Sequence, residues 1–133
     1  MCGDIPMWWF SKKERREIWD EPIEEPLGDM EAAQRIREIC RSASDSAERV
    51  GASGAQSEKK KKRESERYER AARAAMAIAI KMSDDLMRDA SVRDIVSLCM
   101  KANHLRTARI LVRAIQTAPI RSDVLNEHPI LRD

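Results

Sequence analysis

Apolar residues recur every three or four positions along most of this 133-residue chain, which is the spacing of one face of an α-helix. The first such stretch, residues 29–50, carries a narrow apolar stripe of the coiled-coil type. The stripe consists of Ala33, Ile36, Cys40, Ala43, Ala47 and Val50. Asp29 is the predicted N-cap, because a carboxylate there accepts hydrogen bonds from the free amides of the first turn. Gly51 ends the helix, and residues 51–56 form a flexible connection.

The same spacing continues over residues 57–89 and predicts a second, longer helix. Its apolar face comprises Tyr68, Ala71 or Ala72, Ala75, Ile78 or Ala79, Met82 and Leu86. The centre of this segment, AARAAMAIAI, is apolar around most of the helix circumference. We therefore expect other helices to cover it on more than one side.

Two shorter helices are predicted over residues 91–102 and 104–118, joined at Asn103 and His104 as an αα-hairpin. Ser91 begins the first of them, because SVRD has the spacing of a capping box. Pro119 ends the second. The tail, residues 119–133, is too short and too rich in helix-ending signals for another full helix, and we expect it to pack as a strap.

These segments predict an all-α fold, a small bundle of about four helices that ends in the αα-hairpin. We expect a helical bundle over residues 29–118, preceded by an extended N-terminal appendage, residues 1–28, with aromatic and acidic residues. The apolar set is rich in alanine and poor in aromatic residues, so little area is buried per residue. An isolated monomer should be marginally stable, and a homo-oligomer is expected.

Two features are candidate partner-binding sites. The first is the N-terminal aromatic segment, with Trp8, Trp9 and Trp19. These tryptophans fit an aromatic anchor in a partner's groove, a fold-back onto the chain's own helices, or a membrane interface beside lysines. The second is an arginine stripe, Arg106, Arg109 and Arg113, on the polar face of the last helix. Arginine favours bidentate contacts with carboxylate or phosphate, and a DNA-reading helix-turn-helix is a further interpretation.

A run of five cations, Lys59, Lys60, Lys61, Lys62 and Arg63, opens the second helix. Cations in a first turn oppose the helix dipole and repel each other, so ordered helix is expected to begin nearer Glu64 or to extend through the run only when an anion binds. The run fits a soluble helix end that protects the apolar centre. It also fits a patch for an acidic protein segment, such as DEPIEEP at residues 20–26 of this chain, or for nucleic acid or anionic lipid.

No residues are assigned to catalysis, cofactor binding or metal binding. The sequence lacks a Gly-rich phosphate loop, C-x-x-C, H-E-x-x-H and a nucleophile elbow. Cys99 and His104 would supply only half of a metal site. The acids Asp84, Asp85 and Asp89 are expected to form a solvated patch near the end of the long helix.

The three cysteines, Cys2, Cys40 and Cys99, are widely separated and odd in number. That favours a reducing compartment over a disulfide framework, and we predict a cytoplasmic protein. No signal peptide and no membrane-spanning stretch are recognised. Whether translation starts at Met1 or Met7 stays open.

The sequence therefore favours a non-enzymatic protein–protein interaction protein, such as an adaptor, chaperone or assembly factor. The net charge is only +2, so the charge balance gives no global reason to expect nucleic acid. A nucleic-acid-associated protein that uses the basic residues is the alternative. Peripheral membrane attachment through the N-terminal tryptophans is a second alternative.

Overall fold

The computed structural model describes residues 17–20, 27–52, 54 and 56–132. Within these residues the chain forms five α-helices, two short 3-10 helices and no strand, which confirms the all-α prediction. The α-helices are α1 (Asp29–Gly51), α2 (Glu58–Ala79), α3 (Asp85–Lys101), α4 (Leu105–Ala114) and α5 (Ala118–Glu127). The 3-10 helices are Ile18–Asp20 before α1 and Pro129–Leu131 after α5. Most of the predicted N-terminal appendage lies outside the described residues.

Helix α1 has the predicted range, but its N-cap is Gly28 and not Asp29. The Asp29 carboxylate instead accepts hydrogen bonds from the backbone amides of Ser83 at 3.0 Å and Asp84 at 2.8 Å. It thereby ties the start of α1 to the start of α3. The buried face of α1 is also wider than the predicted stripe and includes fully buried Ile39, because both α2 and α3 pack on it.

The single long helix predicted over residues 57–89 is wrong, because the chain breaks between Ala79 and Asp85. Asp84 has extended backbone angles and accepts a hydrogen bond from the Met87 amide, so it is the N-cap of a new helix. Asp84 and Asp85 consequently lie at a helix N-terminus, where negative charge is favourable, and not near a C-terminus. Met82 in the break remains buried, but Leu86 becomes exposed.

The predicted helix start at Ser91 is also wrong. Ser91 is a buried residue in the middle of α3. The helical hairpin between α3 and α4 does form around Asn103, which has a φ of 60°. The amide of His104 bonds to the Cys99 carbonyl at 3.0 Å, which closes α3 in the manner of a Schellman motif with asparagine in the left-handed position.

The bundle does not end with that hairpin, because α5 follows it. Helix α4 stops at Ala114, earlier than predicted, and Pro119 lies in the first turn of α5. Proline is well tolerated there, since first-turn amides have no acceptor within the helix. The expectation of a tail without a full helix is therefore wrong, although Val124 and Leu131 do pack on the core.

A buried carboxylate fixes the link between α4 and α5. Asp89, with no exposed surface, accepts hydrogen bonds from the amides of Gln116 and Thr117 and from the Thr117 hydroxyl, at 3.1, 2.8 and 2.6 Å. Its second oxygen lies 3.5 Å from Nε of Arg88. Burial alone would raise the pKa of Asp89, but the bonds from Thr117 and Gln116 outweigh burial and lower it. The carboxylate of α3 therefore anchors the residues that lead into α5.

The helices have a defined relative direction. Contacts of α1 with α2 join Ser46 to Glu64 near one end and Asp29 to Ser83 at the other, so α1 and α2 are antiparallel. Helices α1 and α3 run parallel and meet closely at their C-termini. A Cβ on Gly51 would lie 2.2 Å from the Lys101 carbonyl oxygen, so only glycine allows this approach. The bundle therefore has two distinct ends.

Candidate functional sites at the two ends of the bundle

Of the three tryptophans, only Trp19 lies within the described residues. Trp8 and Trp9 lie outside the described residues. Trp19 is buried against α1 and α2, with the Arg67 guanidinium 5.0 Å from its ring centroid. Arg67 in turn pairs with Glu17 at 2.9 Å. Trp19 thus fits the fold-back interpretation, and a partner that uses it would first have to displace it from the core.

The three members of the arginine stripe have different surroundings. Arg106 is exposed in the first turn of α4. Arg109 is half-buried and donates a hydrogen bond to the carbonyl of Ile130 at 3.1 Å, so it holds the C-terminal 3-10 helix against α4. Arg113 is exposed in the last turn of the same helix. The stripe is therefore partly occupied by the chain's own tail.

The five-cation run lies in ordered helix, and the predicted delayed start near Glu64 is wrong. Helix α2 begins at Glu58, because the Ser57 hydroxyl accepts a hydrogen bond from the Lys60 amide at 3.1 Å. All five cationic side chains are exposed. None of them forms an ion pair or hydrogen bond with a side chain in the described part of the protein. Glu64, the first acid after the run, is directed to Ser46 and Arg49 instead.

A cleft of about 720 Å³, here called the basic cleft, opens beside this run. Lys59, Lys61 and Lys62 form one wall, and Asn103 and His104 of the α3–α4 turn form the other. Val50 and Ala102 contribute apolar surface, and Glu58 is the one carboxylate among the described residues of the lining. The His104 ring meets the Tyr68 ring edge to face, with centroids 5.0 Å apart. Sequence reasoning found the lysines but not Asn103 or His104, which only the tertiary fold brings there.

The opposite end of the bundle exposes large apolar side chains. Met30, Ile80 and Leu86 have exposed fractions of 75%, 69% and 58%. They lie at the same end because α1 and α3 begin there and α2 ends there, and the Asp29 carboxylate ties these termini together through the Ser83 and Asp84 amides. We call the surface formed by these three residues the apolar end. Sequence reasoning assigned Leu86 to the core, and the helix-start signal at Asp84 would have shown the error.

The charged residues around the apolar end are mostly acidic. Exposed Glu31, Asp84 and Asp85 lie at this end, where Asp85 pairs with Arg88 at 2.9 Å and Lys81 is also exposed. A cleft of about 590 Å³ runs between the first turns of α1 and α3 and is lined by Met30 and Met87. The apolar end thus combines exposed aliphatic and thioether groups with negative charge.

The described cysteines are buried or half-buried thiols with little nucleophilic character. Burial, with a smaller contribution from the charge of Asp94, raises the pKa of Cys40 to about 12. Burial also raises the pKa of Cys99, which hydrogen-bonds with Tyr68. Since the thiolate is the reactive form, neither residue is poised for attack on a substrate at neutral pH.

Three further searches give no functional assignment. Among the described residues, no group of three or more potential ligands is arranged to hold a metal ion. In the same residues, no helix combines the length and apolar character needed to cross a membrane. Comparison of the chain with protein-family models, curated proteins and solved structures found no match. The arguments for function therefore come from the two ends of the bundle.

Proposed function

We propose that this protein is a non-enzymatic interaction protein that binds a partner protein through the apolar end. The supporting observation is that Met30, Ile80 and Leu86, each more than half exposed, lie at the same end of a bundle whose other large aliphatic residues are mostly buried. Exposed apolar surface that is rimmed by polar residues is typical of protein-binding sites. Methionine and aliphatic side chains there adapt to a partner's shape.

The charge of the apolar end favours a particular partner. A segment that carries apolar side chains flanked by lysine or arginine would satisfy both the exposed Met30, Ile80 and Leu86 and the acids beside them. Residues 7–16 of this chain, MWWFSKKERR, have that composition. The simplest partner is therefore a second copy of the chain, which accords with the predicted homo-oligomer.

Sedimentation velocity over a range of protein concentrations tests this function. We expect the wild-type protein to self-associate and the double variant Ile80→Glu/Leu86→Glu to remain a monomer, because two carboxylates would adjoin the existing acids. Ile130→Glu is the matched control, since Ile130 is 52% exposed but lies in the C-terminal 3-10 helix. Circular dichroism should show equal helix content in all three proteins.

If the wild-type protein is a monomer, the partner must be another protein, and a second experiment is needed. Affinity capture would then compare the wild-type protein with the double variant and with Ile130→Glu. Loss of particular bound proteins from the double variant alone would support the proposal. A monomeric wild-type protein whose bound proteins are the same as those of the double variant would overturn it.

The arginine stripe is a second docking feature of the same proposal. Charge reversal at Arg106 should weaken partner capture and leave the helix content unchanged, because this side chain is exposed. Reversal at Arg109 is a poorer test, since it would also remove the hydrogen bond to Ile130. Unchanged capture by Arg106→Glu would exclude this residue from the binding surface.

A further inference from the structure

The basic cleft lies at the opposite end of the bundle from the proposed protein-binding surface. Its distinguishing feature is positive charge that the fold does not use. Six arginines of this protein form ion pairs with described acids: Arg49, Arg67, Arg70, Arg73, Arg88 and Arg93. The five cations of residues 59–63 form none within the described part of the chain. Their charge is therefore available to a ligand.

The position of these cations is unfavourable for the helix that carries them. They occupy the first two turns of α2, where positive charge opposes the helix dipole. Exposed lysines also keep proteins soluble, but solubility does not require that five of them adjoin one another at a helix N-terminus. Departures from local rules of this kind are expected where a residue serves binding.

The lining of the cleft indicates more than attraction for negative charge. Three lysines face an imidazole and a side-chain amide across a space with apolar surface from Val50 and Ala102. Phosphates would bind the lysines, a base would pack against the His104 ring, and the Asn103 amide would meet a base edge. The three lining lysines are spread over about one helical turn, so they can contact more than one phosphate, which favours a polymer over a mononucleotide.

We propose that the basic cleft binds single-stranded nucleic acid, with backbone phosphates on Lys59, Lys61 and Lys62 and a base against His104. An acidic peptide would also be attracted to the lysines. Its carboxylates and backbone groups could also hydrogen-bond to the other wall, but a run of acidic residues has no planar ring to stack on His104. This site is independent of the apolar end, so either can be correct without the other.

Fluorescence anisotropy with a labelled 12-nucleotide single strand tests the proposal on the full-length protein. We expect binding at 50 mM salt that weakens steeply as salt is added. We expect about 10-fold or more weaker binding from the triple variant Lys59→Ala/Lys61→Ala/Lys62→Ala. Its plot of log affinity against log salt concentration should be less steep by about 2, since each lost phosphate contact reduces the slope by about 0.7.

The matched control removes three exposed cations that do not line the cleft, Arg37, Arg41 and Lys81. It makes the same change in net charge and should retain most of the affinity. If both triple variants lost the same affinity for the single strand, the loss would be explained by net charge alone, and the proposal would be overturned. Absence of binding to any single strand at 50 mM salt would also overturn it.

Two further measurements separate nucleic acid from other anions. His104→Ala should weaken binding to the single strand about 10-fold, whereas His104→Phe should retain it, because stacking on an aromatic ring tolerates any base. Polyglutamate of equal charge should compete poorly with the oligonucleotide. Equal competition by polyglutamate would assign the cleft to acidic peptides and overturn the proposal. The same affinity for His104→Ala and His104→Phe would show that no base stacks on this ring, and it would also overturn the proposal.

Discussion

The two ends of the bundle use charge in opposite ways. At the apolar end, acidic side chains hold the structure: Asp29 binds two amides of the α2–α3 connection, Asp84 caps α3 and Asp89 anchors the α4–α5 link. Large apolar side chains remain outside. At the basic end, the apolar residues are mostly covered, and the cations of residues 59–63 have no partners among the described side chains.

This difference separates residues that stabilise the fold from residues that are available for binding. Removal of an acid at the apolar end should reduce stability, because each of these carboxylates accepts hydrogen bonds from backbone amides at the ends or links of helices. Removal of a cation at the basic end should leave stability unchanged or increase it. The predictions below test this contrast, from the largest expected change in unfolding free energy to the smallest.

The largest effect should follow Asp89→Ala. The substitution leaves the amides of Gln116 and Thr117 and the Thr117 hydroxyl without an acceptor, and it leaves Arg88 without a buried partner. We expect the unfolding free energy to fall by about 3 kcal/mol. Urea unfolding measures it, with Asp85→Ala as the control, since Asp85 is an exposed neighbour. A loss no larger than that of the control would contradict the anchoring role.

A second prediction concerns the unfolding free energy at low pH. The pKa of Asp89 in the folded protein lies below its ordinary value near 3.9. Its contribution to stability is therefore fully present above that ordinary value and is lost as the pH falls through the lower folded pKa. Glu64 acts in the same direction, because the hydrogen bond from Ser46 lowers its pKa. The unfolding free energy should decline as the pH is lowered below about 4.5.

Asp94 provides the contrast for that measurement. Burial raises the pKa of this half-buried carboxyl group, despite the opposing charges of Arg37 and Arg93. Asp89→Asn should therefore make the acid-induced loss of stability shallower, whereas Asp94→Asn should make it steeper. Identical pH profiles for the two variants would show that neither carboxyl group controls the acid response.

The sequence predicted the helical class and most of the core, because both depend on local spacing. Tyr68, Ile95 and Val112 were placed on buried faces from periodicity alone, and the structure buries all three. The errors lie at helix ends. A continuous apolar spacing across residues 78–86 masked the break before Asp84, whose capping role depends on a single hydrogen bond.

The candidate sites were only partly predictable for a related reason. The lysines of the basic cleft are adjacent in sequence, so their run was evident. Asn103 and His104 join them only because Gly51 lets the C-termini of α1 and α3 approach closely. Likewise, Met30 and Met87 line one cleft beside the bonds of Asp29 to a loop that is 54 and 55 residues away. Such contacts have no signal in local spacing.

A third prediction tests the link that assembles the apolar end. Asp29→Ala removes the acceptor for the Ser83 and Asp84 amides, which lie in an exposed connection and can bind water instead. We expect a loss of about 1 kcal/mol, in the range of a helix cap. Glu31→Ala is the control in the same turn. If the apolar end binds a partner, Asp29→Ala should also weaken self-association, since the start of α1 would no longer be tied to the start of α3.

The smallest predicted change is an increase in unfolding free energy. Lys61→Glu/Lys62→Glu places negative charge in the first turns of α2, where it is favourable, and should increase the unfolding free energy by roughly 0.3 to 1 kcal/mol. Lys81→Glu makes the same type of change just beyond the C-terminus of α2 and should decrease stability slightly. Thermal unfolding at low salt measures both, and high salt should suppress both shifts. Destabilisation by the Lys61/Lys62 variant would mean that these lysines support the folded structure, and the contrast between the two ends would then fail.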